Sequence, residues 1–122
     1  AGFHGSSASA RLVRRIADGR ALLVWNEATR AEAEAVLRRI PPLRWSRFEG
    51  LFTDEGRFDG PTTPDRHTAV TDPADRIFAA LAAATGALLV SADSDLLEGR
   101  PHEDFEALEP VEAAERLDSE AE

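Results

Sequence analysis

The sequence predicts an α/β protein of three layers, in which helices cover both faces of a central, mainly parallel sheet. Helical patterns alternate with short, continuously apolar runs at residues 21–25 and 87–92, and such runs are typical of parallel strands buried between helices. The chain has 122 residues, of which 43% are hydrophobic and 30% charged. This length and composition predict one folded domain over residues 1–122 and exclude a disordered chain.

The first predicted helix is "GSSASARLVRRIADG", which Gly19 can end and which precedes the first apolar run. Ser7 or Ser9 can cap its amino-terminal end. Leu12, Val13 and Ile16 share one face of this helix and predict the side that packs inward. The run "ALLVW" then predicts a short strand.

The second predicted helix is "NEATRAEAEAVLRRI", which Asn26 can cap. Its apolar face is predicted to contain Ala33, Val36, Leu37 and Ile40. A shorter helix is predicted around the aromatic residues Trp45 and Phe52, followed by a loop over residues 56–64. The sequence "HTAV" at residues 67–70 predicts a short strand.

The clearest helix is "TDPADRIFAALAAATG". Asp72 can cap it, Pro73 suits its first position, and Gly86 can end it. The run "ALLVSA" then predicts a strand buried on both faces, and "FEAL" and "PVEAAERL" predict a last strand and a terminal helix.

Composition and charge limit the kinds of site. The chain has no Cys, which excludes disulfides and thiolate metal ligands. It shows neither a signal-peptide pattern nor an apolar run of the ~20 residues that span a bilayer, so we expect a cytoplasmic protein without membrane contact.

The net charge is −9, and residues 61–122 hold 15 of the 23 acids, with an acidic tail over about residues 112–122. A nucleic-acid role therefore needs bound cations, the Arg-rich first half or a basic partner.

Four acidic residues occupy positions that suit a metal site. Ligands of parallel sheets collect beyond the carboxyl ends of the strands, where Asp93 and Asp95 follow the second apolar run. Asp75 opens the preceding helix, and Glu32, or its neighbour Glu34, lies on the second helix. Mg²⁺ and Mn²⁺ prefer carboxylate oxygen, and they activate water for attack on a phosphodiester. The acids are therefore candidate metal ligands and catalytic residues.

Each of these acids also has a local structural role open to it. Asp72 and Asp75 can be the cap and third-position acid of a helix start. Asp93 can close an Asx turn, and Asp95 can cap the turn that follows. Local spacing alone leaves metal binding and capping both open.

The combined pattern resembles a known protein family. "DPADRIFAALAAATGALLVSADSDLL" is similar to the C-terminal half of PIN-domain proteins, in which an acid opens an Ala-rich helix and a strand ends in a short Asp-containing loop. "RAEAEAVLRRI" resembles the glutamate-bearing helix of that family, and "FEALEPVEAAERL" resembles the closing strand and helix of its toxin subgroup. The resemblance covers most of the chain.

The resemblance implies a PIN-like α/β fold and a Mg²⁺- or Mn²⁺-dependent ribonuclease, the toxin of a bacterial toxin–antitoxin pair. The metal ligands of the family fall on Glu32, Asp75, Asp93 and Asp95, with Asp72 as an auxiliary ligand. The implied partners are an RNA substrate, a cognate antitoxin protein and a second copy of the chain in a homodimer.

The resemblance also implies a first strand that ends in an Asp-Thr-Asn sequence. Nothing of that kind precedes "AGFHGSSASARL". We therefore expect that the chain begins just after this strand, or that the protein has lost it together with its principal metal ligand. The second case predicts a catalytically inactive PIN-like module for protein interactions. A third interpretation uses "DSD" as the nucleophile and acid of an aspartyl phosphotransferase, but the absence of Lys disfavours it.

Other conspicuous residues are interpreted structurally. The three histidines are scattered without ligand spacing and are predicted to be loop residues. Arg11, Arg14 and Arg15 form a solvated helix face or contact RNA phosphates, and the solvated face is favoured. Trp45, Phe48 and Phe52 are predicted to lie in the core or at a dimer surface rather than to stack on bases.

Overall fold

The computed structural model describes residues 7–40, 42, 44–92 and 94–121. Only the backbone is described for Ser7, Ser94, Asp95, Glu120 and Ala121. Within these ranges, helices are combined with a two-stranded parallel sheet, which agrees with the predicted α/β class.

The elements follow the predicted order. Along the described chain they are α1 (Ser7–Ala17), α2 (Glu27–Arg38), α3 (Pro73–Thr85), β1 (Leu88–Val90), α4 (Ser94–Glu98), β2 (Glu106–Leu108) and α5 (Pro110–Ala121). Short 3₁₀ turns lie between α2 and α3, at Trp45–Arg47, Glu49–Leu51, Asp54–Gly56 and Pro64–Arg66. The predicted aromatic helix is therefore a pair of 3₁₀ turns. The strand predicted at residues 67–70 was wrong, because this segment forms a turn in which the Val70 N–H donates to the His67 carbonyl oxygen.

Parallel backbone pairing occurs at two separate places in the described chain, one a pair of strands and the other an isolated bridge. In the first, β1 pairs with β2, with Leu88 opposite Glu106, Leu89 opposite Ala107 and Val90 opposite Leu108. In the second, a single parallel bridge joins Trp25 to Arg57. There the Trp25 N–H donates to the Gly56 carbonyl oxygen, and the Phe58 N–H donates to that of Trp25. The strand predicted at residues 21–25 is thus reduced to one bridge in the described chain.

Local hydrogen bonds fix the ends of α2 and α3, as predicted. Asn26 and Thr29 form a reciprocal capping box, in which the Asn26 side chain accepts from the Thr29 N–H at 2.9 Å. The Asp72 carboxylate accepts from the Ala74 N–H at 2.9 Å. Gly86 ends α3 with φ of 76°, in the left-handed region that favours glycine. The chain can therefore reverse within two residues and enter β1.

The core is built largely from small side chains. Five alanines of α3 and α5 are less than 5% exposed, namely Ala79, Ala80, Ala82, Ala113 and Ala114. No large side chain of the described residues is fully buried.

Two predictions of burial were wrong. Val36 is 39% exposed, because it lies at the margin of the apolar face of α2, where Leu37 is the buried residue. Val90 is 40% exposed, so β1 is not buried on both faces. Its second edge has no paired strand among the described residues.

Ion pairs attach α5 to its neighbours. Arg116 donates to both carboxylate oxygens of Glu106, at 2.9 and 2.7 Å. Arg100 donates from Nη1 to Glu112 at 2.7 Å. Glu112, at the start of the predicted acidic tail, therefore has a defined partner.

These pairs predict that the stability of the protein falls in acid. The hydrogen bonds from Arg116 lower the pKa of Glu106, and those from the Glu109 backbone and Arg100 lower the pKa of Glu112. Because each folded-state pKa lies below its ordinary value of 4.5, the stabilisation is present above that pH and is lost as the pH falls below it. We expect the thermal midpoint to fall between about pH 5 and about pH 3.

The variant Glu106→Gln should make this fall smaller, whereas Glu103→Gln, at an exposed position, serves as the matched control. Both groups of the pair are solvent-accessible, so the effect is modest and should shrink in high salt. An identical pH dependence in Glu106→Gln and the unmodified protein would contradict the prediction.

Candidate carboxylate site

The predicted site residues lie on different elements, and the structure describes only some of them. Glu32 is half-buried in the middle of α2, and Asp75 is half-buried in the first turn of α3. Asp93 lies outside the described residues. Asp95 belongs to α4, but its side chain is not described.

The order of the elements favours one common edge for these positions. Only Gly86 and Ala87 separate α3 from β1, and the two elements pack together. A helix that returns along its own strand has its first turn at the level of the carboxyl end of that strand. We therefore expect Asp75 and the segment that follows β1 to lie at the same edge.

The described carboxylates do not form a metal site by themselves. Among the described side chains, no group of three or more His, Asp or Glu residues can hold a metal ion. This holds for Glu32, Asp72 and Asp75, whose side chains are described. Oxygen donors of this kind suit Mg²⁺ and Mn²⁺. Because the described acids are too few in any one place, a complete site requires the side chain of Asp93 or Asp95, and neither side chain is described.

Asp72 is a helix cap in the structure, and this role can be separated from metal binding. Asn caps a helix about as well as Asp, whereas Ala at the cap costs about 1 kcal/mol. We expect Asp72→Ala to lower the free energy of unfolding by about 1 kcal/mol and Asp72→Asn to leave it within about 0.3 kcal/mol, as measured by urea denaturation. If Asp72→Asn destabilises as much as Asp72→Ala, hydrogen bonding to Ala74 is not what this residue contributes.

The arginines of α1 are partly used within the fold. Arg11 and Arg15 both form ion pairs with Asp118 on α5. Arg14 is exposed on the same helix. The favoured interpretation of a solvated face therefore holds only in part, because two of the three arginines join α1 to α5.

Of the aromatic residues after α2, Trp45 lies in the core, one of its two predicted locations, whereas Phe48 and Phe52 are half-buried. Trp45 is buried, and its ring centroid lies 5.4 Å from that of Phe52. Phe52 also contacts Trp25 edge-on, at 5.8 Å. Rings packed against one another in this way are not arranged as an open platform for bases.

Two of the histidines lie in loops, as predicted, and both pack against one phenylalanine. His67 is buried edge-on against Phe105, and His102 stacks on the same ring with 4.5 Å between centroids. Nε2 of His102 is 2.8 Å from the Leu96 carbonyl oxygen. His4 lies outside the described residues. This stack was not predicted, since the three residues have no regular spacing.

The structure also contains an apolar groove that could not be predicted from the sequence. We define the groove as the cavity of about 530 Å³ that is lined by residues 22–25 and by β1. Ile16, Phe78 and Leu117 also line it, from α1, α3 and α5. Its volume lies within the range of about 300–1,000 Å³ that is usual for ligand sites.

Comparisons with models of protein families, with curated proteins and with solved structures find no match to the chain. In the described ranges, no helix combines the length and apolar character needed to cross a bilayer.

Proposed function

We propose that the protein is a metal-dependent endoribonuclease and the toxin component of a bacterial toxin–antitoxin pair that acts in the cytoplasm. The observation that carries this proposal is the unit formed by α3 and β1. An acid stands in the first turn of its helix, and its strand leads towards Asp93. The same unit carries the resemblance to PIN-domain proteins. A three-layer PIN-like architecture is part of the proposal.

Glu32, Asp75, Asp93 and Asp95 would hold Mg²⁺ or Mn²⁺, with Asp72 beside them. A bound divalent ion supplies a Lewis acid that activates water and offsets charge on the phosphodiester. The carboxylates hold and orient this ion, and the ion reduces the repulsion between RNA and a chain of net charge −9. A basic segment of an antitoxin would complement the same acids, and a homodimer would be the working form.

Incubation of the protein with mixed single-stranded RNA tests the proposal. Internal cleavage is expected with millimolar Mn²⁺ or Mg²⁺ and is expected to disappear when EDTA is present in excess. The assay should include a form of the chain with any native segment that precedes Ala1. If neither form cleaves RNA with either ion, the protein is not a nuclease of this kind.

The apolar groove favours a second candidate function, a catalytically inactive PIN-like module that binds other proteins. An apolar lining suits contact with a polypeptide better than contact with RNA. Calorimetric titration with Mn²⁺ distinguishes the two functions. The nuclease predicts binding that Asp93→Asn removes, whereas the inactive module predicts the same absence of binding for both proteins.

A further inference from the structure

A smaller pocket, separate from the apolar groove, lies where the loop before α3 packs on α3. Its volume is about 290 Å³, close to the lower end of the range that is usual for small-molecule sites. Alanines of α3 line one part of it, at positions 80, 83 and 84. The polar and charged residues that line it are Thr62, Thr63, Arg66, His67 and Asp104.

His67 lines this pocket and is largely withdrawn from solvent. The residue is only 9% exposed, and its ring packs edge-on against Phe105, with 5.9 Å between centroids. Its backbone N–H donates to the Pro64 carbonyl oxygen at 3.0 Å, but its ring nitrogens form no hydrogen bond with any described residue. Largely buried polar groups almost always have a hydrogen-bond partner in native proteins. We therefore expect the contents of the pocket to supply the partner of this ring.

Two opposite charges line the same pocket. Arg66 belongs to the 3₁₀ turn before α3, and Asp104 lies in the loop before β2. Within the part of the chain that the structure describes, neither side chain forms an ion pair, with the other or with a third residue. The pocket therefore offers both a cationic and an anionic group to a ligand.

These charges select among the possible ligands. A simple anion such as phosphate would be attracted by Arg66 but repelled by Asp104. A divalent cation would be repelled by Arg66, and no group of three metal-binding residues occurs among the described side chains. An apolar molecule would leave both charges without a partner. A small molecule that carries one charge of each sign gives each group a partner.

We propose that this pocket binds a free α-amino acid with a small apolar side chain. The guanidinium group of Arg66 suits the carboxylate of the ligand, because its parallel N–H groups can donate to both oxygens. Asp104 accepts hydrogen bonds from the ammonium group, and the ring of His67 adds a further hydrogen bond. The alanines of α3 provide the apolar wall for the side chain. The inference does not depend on the proposed nuclease activity, because neither Glu32 nor Asp75 lines the pocket.

Titration calorimetry with L-valine tests the inference on the 122-residue chain. We expect one valine bound per chain with a dissociation constant of about 0.1–1 mM, because ion pairs with solvent-accessible groups are weak. N-acetylvaline lacks the ammonium charge, and valinamide lacks the carboxylate. Each should bind at least about 10-fold more weakly than valine, because one charge-assisted interaction is lost.

Matched variants locate the ligand. Arg66→Gln and Asp104→Asn should each weaken valine binding at least about fivefold. Glu103→Gln is the control, because Glu103 is exposed next to Asp104 but does not line the pocket. Asp104→Asn should not weaken N-acetylvaline binding any further, since that compound has no ammonium group for the carboxylate to meet.

The variant His67→Phe isolates the contribution of the imidazole. It keeps a ring against Phe105 but removes both ring nitrogens, and it should weaken valine binding about threefold or more. Melting curves followed by circular dichroism check that all the variants are folded.

Four results would overturn the inference. Binding of N-acetylvaline or valinamide as tight as that of valine would show that the pocket does not recognise both charges. Tighter binding of inorganic phosphate than of valine would make it an anion site. Unchanged valine binding by folded Arg66→Gln and Asp104→Asn would put the ligand elsewhere. Absence of binding at about 20 mM valine would exclude an amino-acid site.

Discussion

Replacement of Asp75 by asparagine is expected to reduce metal-dependent RNA cleavage by more than about 100-fold, because loss of residues that merely orient metal ligands already costs about 10- to 100-fold. Asp75 stands in the first turn of α3 and is half-buried. Asparagine has nearly the same shape but no negative charge, so it weakens the hold on a divalent ion. The rate of cleavage of a labelled RNA at saturating Mn²⁺ measures the effect.

Asp65→Asn is the matched control for this experiment. Asp65 is an exposed residue of the 3₁₀ turn Pro64–Arg66, just before α3. This substitution removes the same negative charge as Asp75→Asn. We expect the rate of RNA cleavage to stay within about twofold of that of the unmodified protein. Thermal melting curves followed by circular dichroism check that Asp75→Asn and Asp65→Asn are both folded. Equal activity of the two variants would remove Asp75 from the proposed site.

Replacement of Gly56 by alanine is expected to lower the free energy of unfolding by about 1–3 kcal/mol, the usual cost of overpacking. A Cβ atom at position 56 would lie 1.8 Å from the carbonyl oxygen of Leu23. That oxygen belongs to the backbone, so relief requires the segment before Trp25 to move. The Gly56 carbonyl also accepts the hydrogen bond from Trp25 that forms the parallel bridge. The change should lower the thermal midpoint by about 5–15 °C.

Gly50→Ala provides the control, because a Cβ atom at that exposed position has no atom within 4 Å. We expect its stability to lie within about 0.5 kcal/mol of that of the unmodified protein. Urea denaturation of both variants gives the comparison. If Gly56→Ala is as stable as Gly50→Ala, the close approach to Leu23 is not maintained in solution.

The helices could be predicted from sequence because their ends are determined by neighbouring residues. Asn26, Asp72 and Gly86 each act within a few residues of their own position, and each does in the structure what its residue type predicts. The terminal strand and helix were predicted for the same reason, with Pro110 at the start of α5.

The contacts between distant segments could not be predicted. The segment 67–70 has the composition of a strand, but His67 packs on Phe105 and the Val70 carbonyl accepts from Arg76, so a turn is favoured. The apolar run that contains Val90 predicts that this residue is buried. Its actual exposure depends on which strands lie beside β1. The candidate carboxylates could be named from spacing and resemblance, but their convergence stays a prediction, since Asp93 lies outside the described residues.

The second edge of β1, which has no paired strand in the part of the chain that the structure describes, also affects how the protein behaves at high concentration. An exposed apolar edge is a template on which other chains form intermolecular strands, which is a route to aggregation and inclusion bodies. Leu22 and Val90 are both apolar, whereas charged residues or proline usually protect such edges. Covering this edge or placing a charge on it should therefore raise the solubility of the protein during its production.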